Sequence, residues 1–206
     1  MGAGNPVRQG HSDDDGNGRM IKRVFDLMLA SLTVILLAPL MLCVALAIRL
    51  DSAGPAVFWS QRFGRDGRLF LMPKFRTMHI DTPLLPTHLL RDGASRVTRL
   101  GRFLRRTSLD ELPQLFSVIA GDMSLVGPRP ALFNQDDLMR LRAECGVTAL
   151  RPGITGWAQI NGRDELTISE KVTLEREYLA RMSLAFDVKI LILTIVRVLD
   201  RRSISH

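Results

Sequence analysis

The amino-acid sequence predicts an α+β fold, mostly helical, in which a re-entrant N-terminal membrane helix, short strands and amphipathic interfacial helices surround a small cytosolic domain. Three observations predict it. Residues 27–48 form an apolar run without one charge, close to the roughly 20 residues that cross a bilayer core. Residues 56–60 and 68–78 read as extended pieces, set off by Gly54-Pro55 and Gly64-Arg65-Asp66-Gly67. Residues 135–144, 166–182 and 184–199 carry helical patterns. The chain divides accordingly into a disordered tail at 1–20, a membrane helix at 21–50 and a cytosolic-face domain at 51–206.

The tail is rich in Gly, Asp, Asn and Ser and has no periodicity. It also lacks the early apolar stretch and small-residue cleavage site of a secretory signal. The apolar run that follows stays hydrophobic on every face for six turns, unlike the one-sided helix of a soluble domain. Pro39 removes a backbone hydrogen bond near its middle and predicts a kink. Lys22 and Arg23 precede the run and Arg49 follows it. Because positive flanks prefer the cytoplasmic side, a helix that enters and returns on one face satisfies both ends, and is favoured over a straight span.

The net charge is +7, and only four of the 28 basic residues are lysines (Lys22, Lys74, Lys171 and Lys189). Arginine suits planar, bidentate recognition of phosphate, whereas lysine acts as a point charge. Nucleic acid, anionic lipid and phosphorylated small molecules all fit such a balance, and charge alone does not choose among them. Cys43 and Cys145 form neither metal-ligand spacing nor a disulfide framework, which points to a reducing compartment.

If residues 68–78 form a strand, Lys74 and Arg76 share one face. That face is either a solvated edge or a grip on an anion. Residues 81–92 contain Pro83 and Pro86 and read as loop. Arg96, Arg99, Arg102 and Arg105 then recur at intervals of three, with Arg106 adjacent, so a helix would carry them as one basic stripe. The stripe can lie on anionic headgroups, or give its last members to a phosphate beside the carboxylates that follow.

Those carboxylates are Asp110 and Glu111. Ser108 and Glu111 have the spacing of a capping box opening a helix towards Ala120, with Asp110 in its favourable first turn. The other reading is chemical. Carboxylates among arginines can hold magnesium while substrate phosphates complete its shell, and a carboxylate can attack phosphorus to form an acyl phosphate. Adjacent helical positions diverge by roughly 100 degrees, so the two would differ in role. Pro128 and Pro130 fix an extended backbone around Arg129, which suits binding a phosphate or simply makes a rigid turn. Residues 151–163, from Arg151 to Arg163, are glycine-punctuated and either approach a ligand or turn a corner. Residues 184–199, with Asp187, Lys189 and Arg197 their only charges, fit an interfacial helix with snorkelling cations, or pack into the core.

In order and spacing these stretches resemble the bacterial sugar transferase family, the monotopic phosphoglycosyl transferases. The matching features are Lys22-Arg23-Val24-Phe25-Asp26, the proline-broken apolar helix, Lys74-Phe75-Arg76-Thr77-Met78, and residues 108–115, 121–130 and 151–163. The resemblance covers residue 20 to the end. It implies transfer of a sugar 1-phosphate from a UDP-sugar to undecaprenyl (polyprenyl) phosphate, releasing UMP, as the first membrane step of capsule, O-antigen, exopolysaccharide or glycoconjugate synthesis. It implies that Asp110 forms a covalent phosphosugar intermediate, with Glu111 beside it. Mg2+ would be held by Asp110, Glu111 or both. Lys74, Arg76, Arg106, Arg129 and Arg151 would cradle phosphate. The implied location is the cytoplasmic face of the bacterial inner membrane. Membrane lipids and a second copy of the chain are candidate partners, and nucleic acid is not.

Two departures stand out. The family's Ser-Pro kink is Ala38-Pro39 here, and the additional N-terminal spans of larger members are not in the chain, which reads as the catalytic core alone. The stretch from Asp81 to Leu90, Asn134-Gln135-Asp136-Asp137 and the Ser-His end resemble members that use N-acetylamino sugars. Two other classes compete. A CDP-alcohol phosphotransferase would place several aspartates inside the apolar run, where there are none. A membrane-tethered basic adaptor binding anionic lipid, without catalysis, explains the arginines but not the carboxylate pair among them.

Overall fold

The computed structural model describes residues 12–82, 96–162 and 165–199. The expected loop between Pro83 and Asp92, Arg163 and the Ser-His end lie outside these residues. The chain runs α1 (Ser12–Asp51), β1 (Val57–Phe63), β2 (Leu69–Phe75), α2 (Arg99–Thr107), α3 (Gln114–Ala120), β3 (Ser124–Val126), α4 (Asp136–Glu144), β4 (Gly153–Thr155), α5 (Trp157–Ile160), α6 (Ile168–Arg181) and α7 (Leu184–Leu199). The α+β, mostly helical class is therefore observed. Helix α1 begins at Ser12, inside the stretch read as tail, and it continues through Pro39.

Helix α1 is apolar all round but buries only one stripe. Asp26, Ala30, Met41, Val44 and Ile48 are buried, and Val34 and Leu37 fill the turns between them. Spacings of three and four keep this stripe on one side. It touches the rest of the protein over 22 steps, about 33 Å. The opposite side exposes Met28, Leu32, Ile35, Leu36, Leu42 and Leu46. Both ends of the apolar run thus rest on the same domain.

Two clusters meet that stripe. Around Ala30, the residues Met72, Leu115, Val118, Met123, Val126, Tyr178, Phe186 and Ile190 form the larger. Around Met41, Val44 and Ile48, the residues Phe75 and Leu104 form the smaller. β1 and β2 form an antiparallel hairpin, whereas β3 and β4 pair in parallel. That second pairing is unusually close: a Cβ on Gly153 would stand 2.1 Å from Gly127 N, so no larger residue fits without moving backbone. α6 opens on a capping box, with Thr167 Oγ1 accepting from Glu170 N and Glu170 accepting from Thr167 N.

Two buried carboxylates fasten the first helix to the domain. Lys22 Nζ donates to Asp187 Oδ2 at 2.6 Å, and Tyr178 Oη donates to Asp187 Oδ1 at 2.7 Å. Asp26 accepts from Ser124 Oγ at 2.7 Å. The Lys22 and Asp26 ends of the entry motif thereby fasten α1 to α7 and β3. α7 packs Phe186, Asp187 and Ile190 inward, as the core reading expects, and exposes Val188, Ile192, Ile195 and Val196.

Candidate active site

The site forms where β2, the end of α2 and the segment before α4 converge. α2 is capped by Thr98, whose side chain accepts from Gly101 N at 2.9 Å. Gly101 is required by proximity: an added Cβ would lie 2.1 Å from Thr77 O. This close approach lets Arg105 Nε donate to Thr77 Oγ1 at 2.9 Å. The chain then leaves α2 through Ser108, which holds a left-handed conformation (φ 56°, ψ 16°). Such a conformation costs a non-glycine residue about 1–2 kcal/mol, and here it opens the turn that carries the carboxylates. Leu109–Glu111 make one 3-10 turn before Pro113 starts α3. The expected capping box is absent, because Ser108 closes α2 and its side chain caps nothing.

Glu111 is fixed from two sides. Lys74 Nζ donates to Glu111 Oε1 at 2.9 Å, and Arg129 Nη2 stands 4.0 Å from the same oxygen. Arg129 owes its position to backbone. Pro128 O accepts from Gly153 N at 2.8 Å, Arg129 O from Arg142 Nη2 at 2.9 Å, and Pro130 O from Arg62 Nη1 at 3.2 Å. Arg142 is itself buried in a two-bond ion pair with Glu175. Both prolines and the arginine between them are thus tied by their carbonyls, and the guanidinium of Arg129 remains one-third exposed.

The electrostatics follow from partial burial. Burial pushes the Asp110 carboxyl above the ordinary aspartate range and Glu111 adds to the push, while Lys74 and Arg105 oppose it. Burial lowers Arg105, with Asp110 opposing. Burial and the neighbouring Arg129 lower Arg62 to about 10, with Glu111 opposing. The result is a carboxylate pair ringed by Lys74, Arg105, Arg129 and Arg62, a cationic frame open to an anion. His79, the one histidine among the described residues, is exposed and does not offer a general base here.

Among the described residues no three His, Cys, Asp or Glu side chains meet. Asp110 and Glu111 are hard oxygen donors of the kind that could hold magnesium with substrate phosphates completing its shell.

Of the residues expected to bind phosphate, Lys74 and Arg129 join Asp110 and Glu111. Arg76 and Arg151 stand elsewhere, and Arg106 is exposed beside the site. Arg76 is buried, and its guanidinium donates to Ser52 O, Ser52 Oγ and Ala53 O, pinning the chain just after α1. β2 ends at Phe75, so strand alternation does not carry Arg76 onto the face of Lys74. Arg106 is exposed on α2, one helical step from the Arg105 that faces Asp110. Arg151 Nε donates to Gly121 O at 2.8 Å and lines a separate cavity.

Sequence reasoning does not point to Arg62 or Thr77, and it reaches Arg105 only as one of the last members of the stripe. Hairpin parity carries a signal for Arg62: in this register Arg62 pairs Phe70 and Phe58 pairs Lys74, so Arg62 and Lys74 lie on one face.

The bacterial sugar transferase family model matches residues 17–201. The chain is 42% identical over 190 residues to the UDP-glucose:undecaprenyl-phosphate glucose-1-phosphate transferase of Escherichia coli, covering 88% of this chain and 41% of that protein. It is 46% identical over 193 residues to the undecaprenyl-phosphate glucose phosphotransferase of Komagataeibacter xylinus, covering 88% and 36%. It is 41% identical over 189 residues to the uncharacterized sugar transferase EpsL of Bacillus subtilis, covering 91% of each. The chain thus spans about two fifths of the first two relatives and nearly all of the third.

Proposed function

The chain belongs to the bacterial sugar transferase family, and from that premise we propose that it transfers a sugar 1-phosphate from a UDP-sugar to undecaprenyl phosphate, releasing UMP. The observation that carries this reading is the position of Asp110. It stands partly buried between Lys74 and Arg105, on the same turn as an anchored Glu111. Each cation sits on a different element, so a diphosphate entering the frame meets positive charge from several sides.

In the first step an Asp110 carboxylate oxygen attacks the sugar-linked phosphorus. The phosphorus–oxygen bond to the UMP phosphate breaks, and UMP leaves with that electron pair. In the second step an oxygen of undecaprenyl phosphate attacks the same phosphorus. The acyl phosphate bond breaks, returning the Asp110 carboxylate and giving the diphosphate-linked sugar. Neither step needs a proton carrier. Both need oriented positive charge, which Lys74, Arg105 and Arg129 supply without reorganisation. Mg2+ held by Asp110 and Glu111 would neutralise phosphate charge. Arg62, still protonated at neutral pH, donates to the Pro130 carbonyl and fixes the backbone beside Arg129.

The membrane reading rests on α1. From Val24 to Leu46 its exposed residues are all apolar, while its other side rests on the domain from Asp26 to Ile48. A helix running straight away from the domain could not do both. We read it as monotopic and re-entrant, at the cytoplasmic face of the plasma membrane, with the exposed apolar side of α7 at the same interface. The sugar follows the relatives' names: UDP-glucose is the first donor to test, before UDP-galactose and UDP-N-acetylamino sugars.

Purified protein in detergent, given UDP-glucose and undecaprenyl phosphate, is expected to release UMP and to trap a phosphosugar on Asp110 when the acceptor is withheld. Release of UDP, or unchanged turnover in Asp110→Asn, would sink the two-step scheme.

A further inference from the structure

A second basic pocket opens away from the carboxylate pair. It encloses about 90 Å3 and is lined by Arg19, Lys22, Arg23, Arg65 and Arg151, with Asp26 as its one carboxylate. None of Lys74, Arg105, Asp110, Glu111 and Arg129 lines it. The volume is well above the ~10–15 Å3 needed by one water.

Its charge is unbalanced in a specific way. Asp26 already accepts from Ser124 Oγ and from Leu125 N, and Lys22 is committed to the buried Asp187. That leaves the four arginines. Two are held in place by the end of α3: Arg23 donates to Val118 O at 2.7 Å and Ile119 O at 3.1 Å, and Arg151 Nε donates to Gly121 O. Each uses one part of a five-donor guanidinium. Arg65 reaches in from the hairpin turn and, among the described residues, pairs with its exposed neighbour Asp66. Burial lowers Arg151 below the usual arginine range, and Arg23 and Arg65 lower it further by like charge. An anion among them would relieve both effects.

Placement narrows the ligand. Arg19, Lys22 and Arg23 lie within about two turns of the start of the apolar run at residue 27, where α1 leaves its uncharged stretch. We propose that this pocket is a phosphate-binding site separate from the transfer site, seating a phosphate group of a phospholipid or free phosphate against Arg23, Arg65 and Arg151. The inference does not depend on the chemistry of Asp110.

The test is thermal unfolding with two probes. One arm adds inorganic phosphate to the detergent-purified full chain. The other compares nanodiscs of phosphatidylcholine with nanodiscs containing phosphatidylglycerol. Each is run on wild type, Arg65→Gln, Arg151→Gln and, as a charge-matched control, Arg140→Gln on the exposed face of α4. A rise in Tm that Arg65→Gln and Arg151→Gln reduce by at least half, and Arg140→Gln does not, supports the site. A rise with phosphatidylglycerol alone identifies a lipid headgroup; a rise with phosphate alone identifies a soluble anion. Arg65 sits on an exposed turn, so its variant keeps the test decisive if Arg151→Gln fails to fold. No rise with either probe, or equal rises in Arg65→Gln and wild type, would overturn the proposal.

Discussion

Lys74 Nζ on β2 lies 2.9 Å from Glu111 Oε1, and the same ammonium is the strongest influence holding down the proton affinity of Asp110. One cation therefore orients one carboxylate and keeps its neighbour charged. Asp110 must be ionised to attack phosphorus, so turnover falls as pH drops through its pKa. Burial already places that pKa above the ordinary aspartate value, and losing Lys74 raises it further. Lys74→Met should move the acid limb of kcat to higher pH. It should also cut kcat by about 10²-fold, as expected for one preorganised charge. An acid limb at the wild-type position would show that Lys74 does not act on Asp110.

Asp110→Asn carries an opposite sign for stability. A carboxyl whose folded pKa is raised stabilises the fold below its unfolded pKa, and that contribution is lost as pH rises through the folded pKa. At neutral pH the ionised Asp110 is thus a cost of burial. The asparagine variant should abolish UMP release yet raise Tm, by ~2–4 °C for each kcal/mol regained in a chain of this size. Its advantage should shrink at pH values low enough to protonate the aspartate. A variant that is inactive and also less stable would mean that the carboxylate's contacts outweigh its desolvation.

Gly101→Ala tests how α2 is seated. The added methyl would meet Thr77 O at 2.1 Å, a backbone atom that cannot swing aside. Either α2 shifts, breaking the Arg105–Thr77 bond, or the fold weakens by several kcal/mol, as overpacking does at its upper end. Circular dichroism melts and UMP release should both fall, although residue 101 touches no substrate. Wild-type stability would show that α2 and Thr77 are less tightly packed.

Much of this fold was legible because long periodic segments dominate it. α4, α6 and α7 start and end within two residues of the stretches at 135–144, 166–182 and 184–199. The site was legible only as residue types in sequence order. Lys74, Asp110, Glu111 and Arg129 converge as expected, but Arg76 does not, since its direction depends on where β2 stops. Arg105 rather than Arg106 faces the carboxylate, a choice of one helical step that the Gly101–Thr77 contact makes. Ser108 misled in a similar way: its spacing to Glu111 favours a capping box, yet packing of α2 imposes a left-handed turn. Pro39 removes one hydrogen bond from a 40-residue helix, too little to end it when a buried stripe continues on both sides.

The Lys22–Asp187 pair is the contact most open to a double-mutant test. Asp187 is fully buried and accepts from both Lys22 and Tyr178. Removing Lys22 alone strands a buried carboxylate, so Lys22→Met should cost about 3–5 kcal/mol. Asp187→Leu alone leaves the ammonium with only Asp26, 3.8 Å away, and takes one acceptor from the Tyr178 hydroxyl, so it should cost less than Lys22→Met. Removing both leaves Asp26 to its bonds from Ser124 Oγ and Leu125 N, and the double variant should lose less than the sum of the two single losses. The same comparison reads out the seating of α1. If the pair holds the N-terminal end of α1 on α7, proteolysis near Arg19 and Arg23 should accelerate in both single variants and slow again in the double one. Additive losses in the melts would mean that the two residues act through separate contacts, and the pair would then be no latch between these helices.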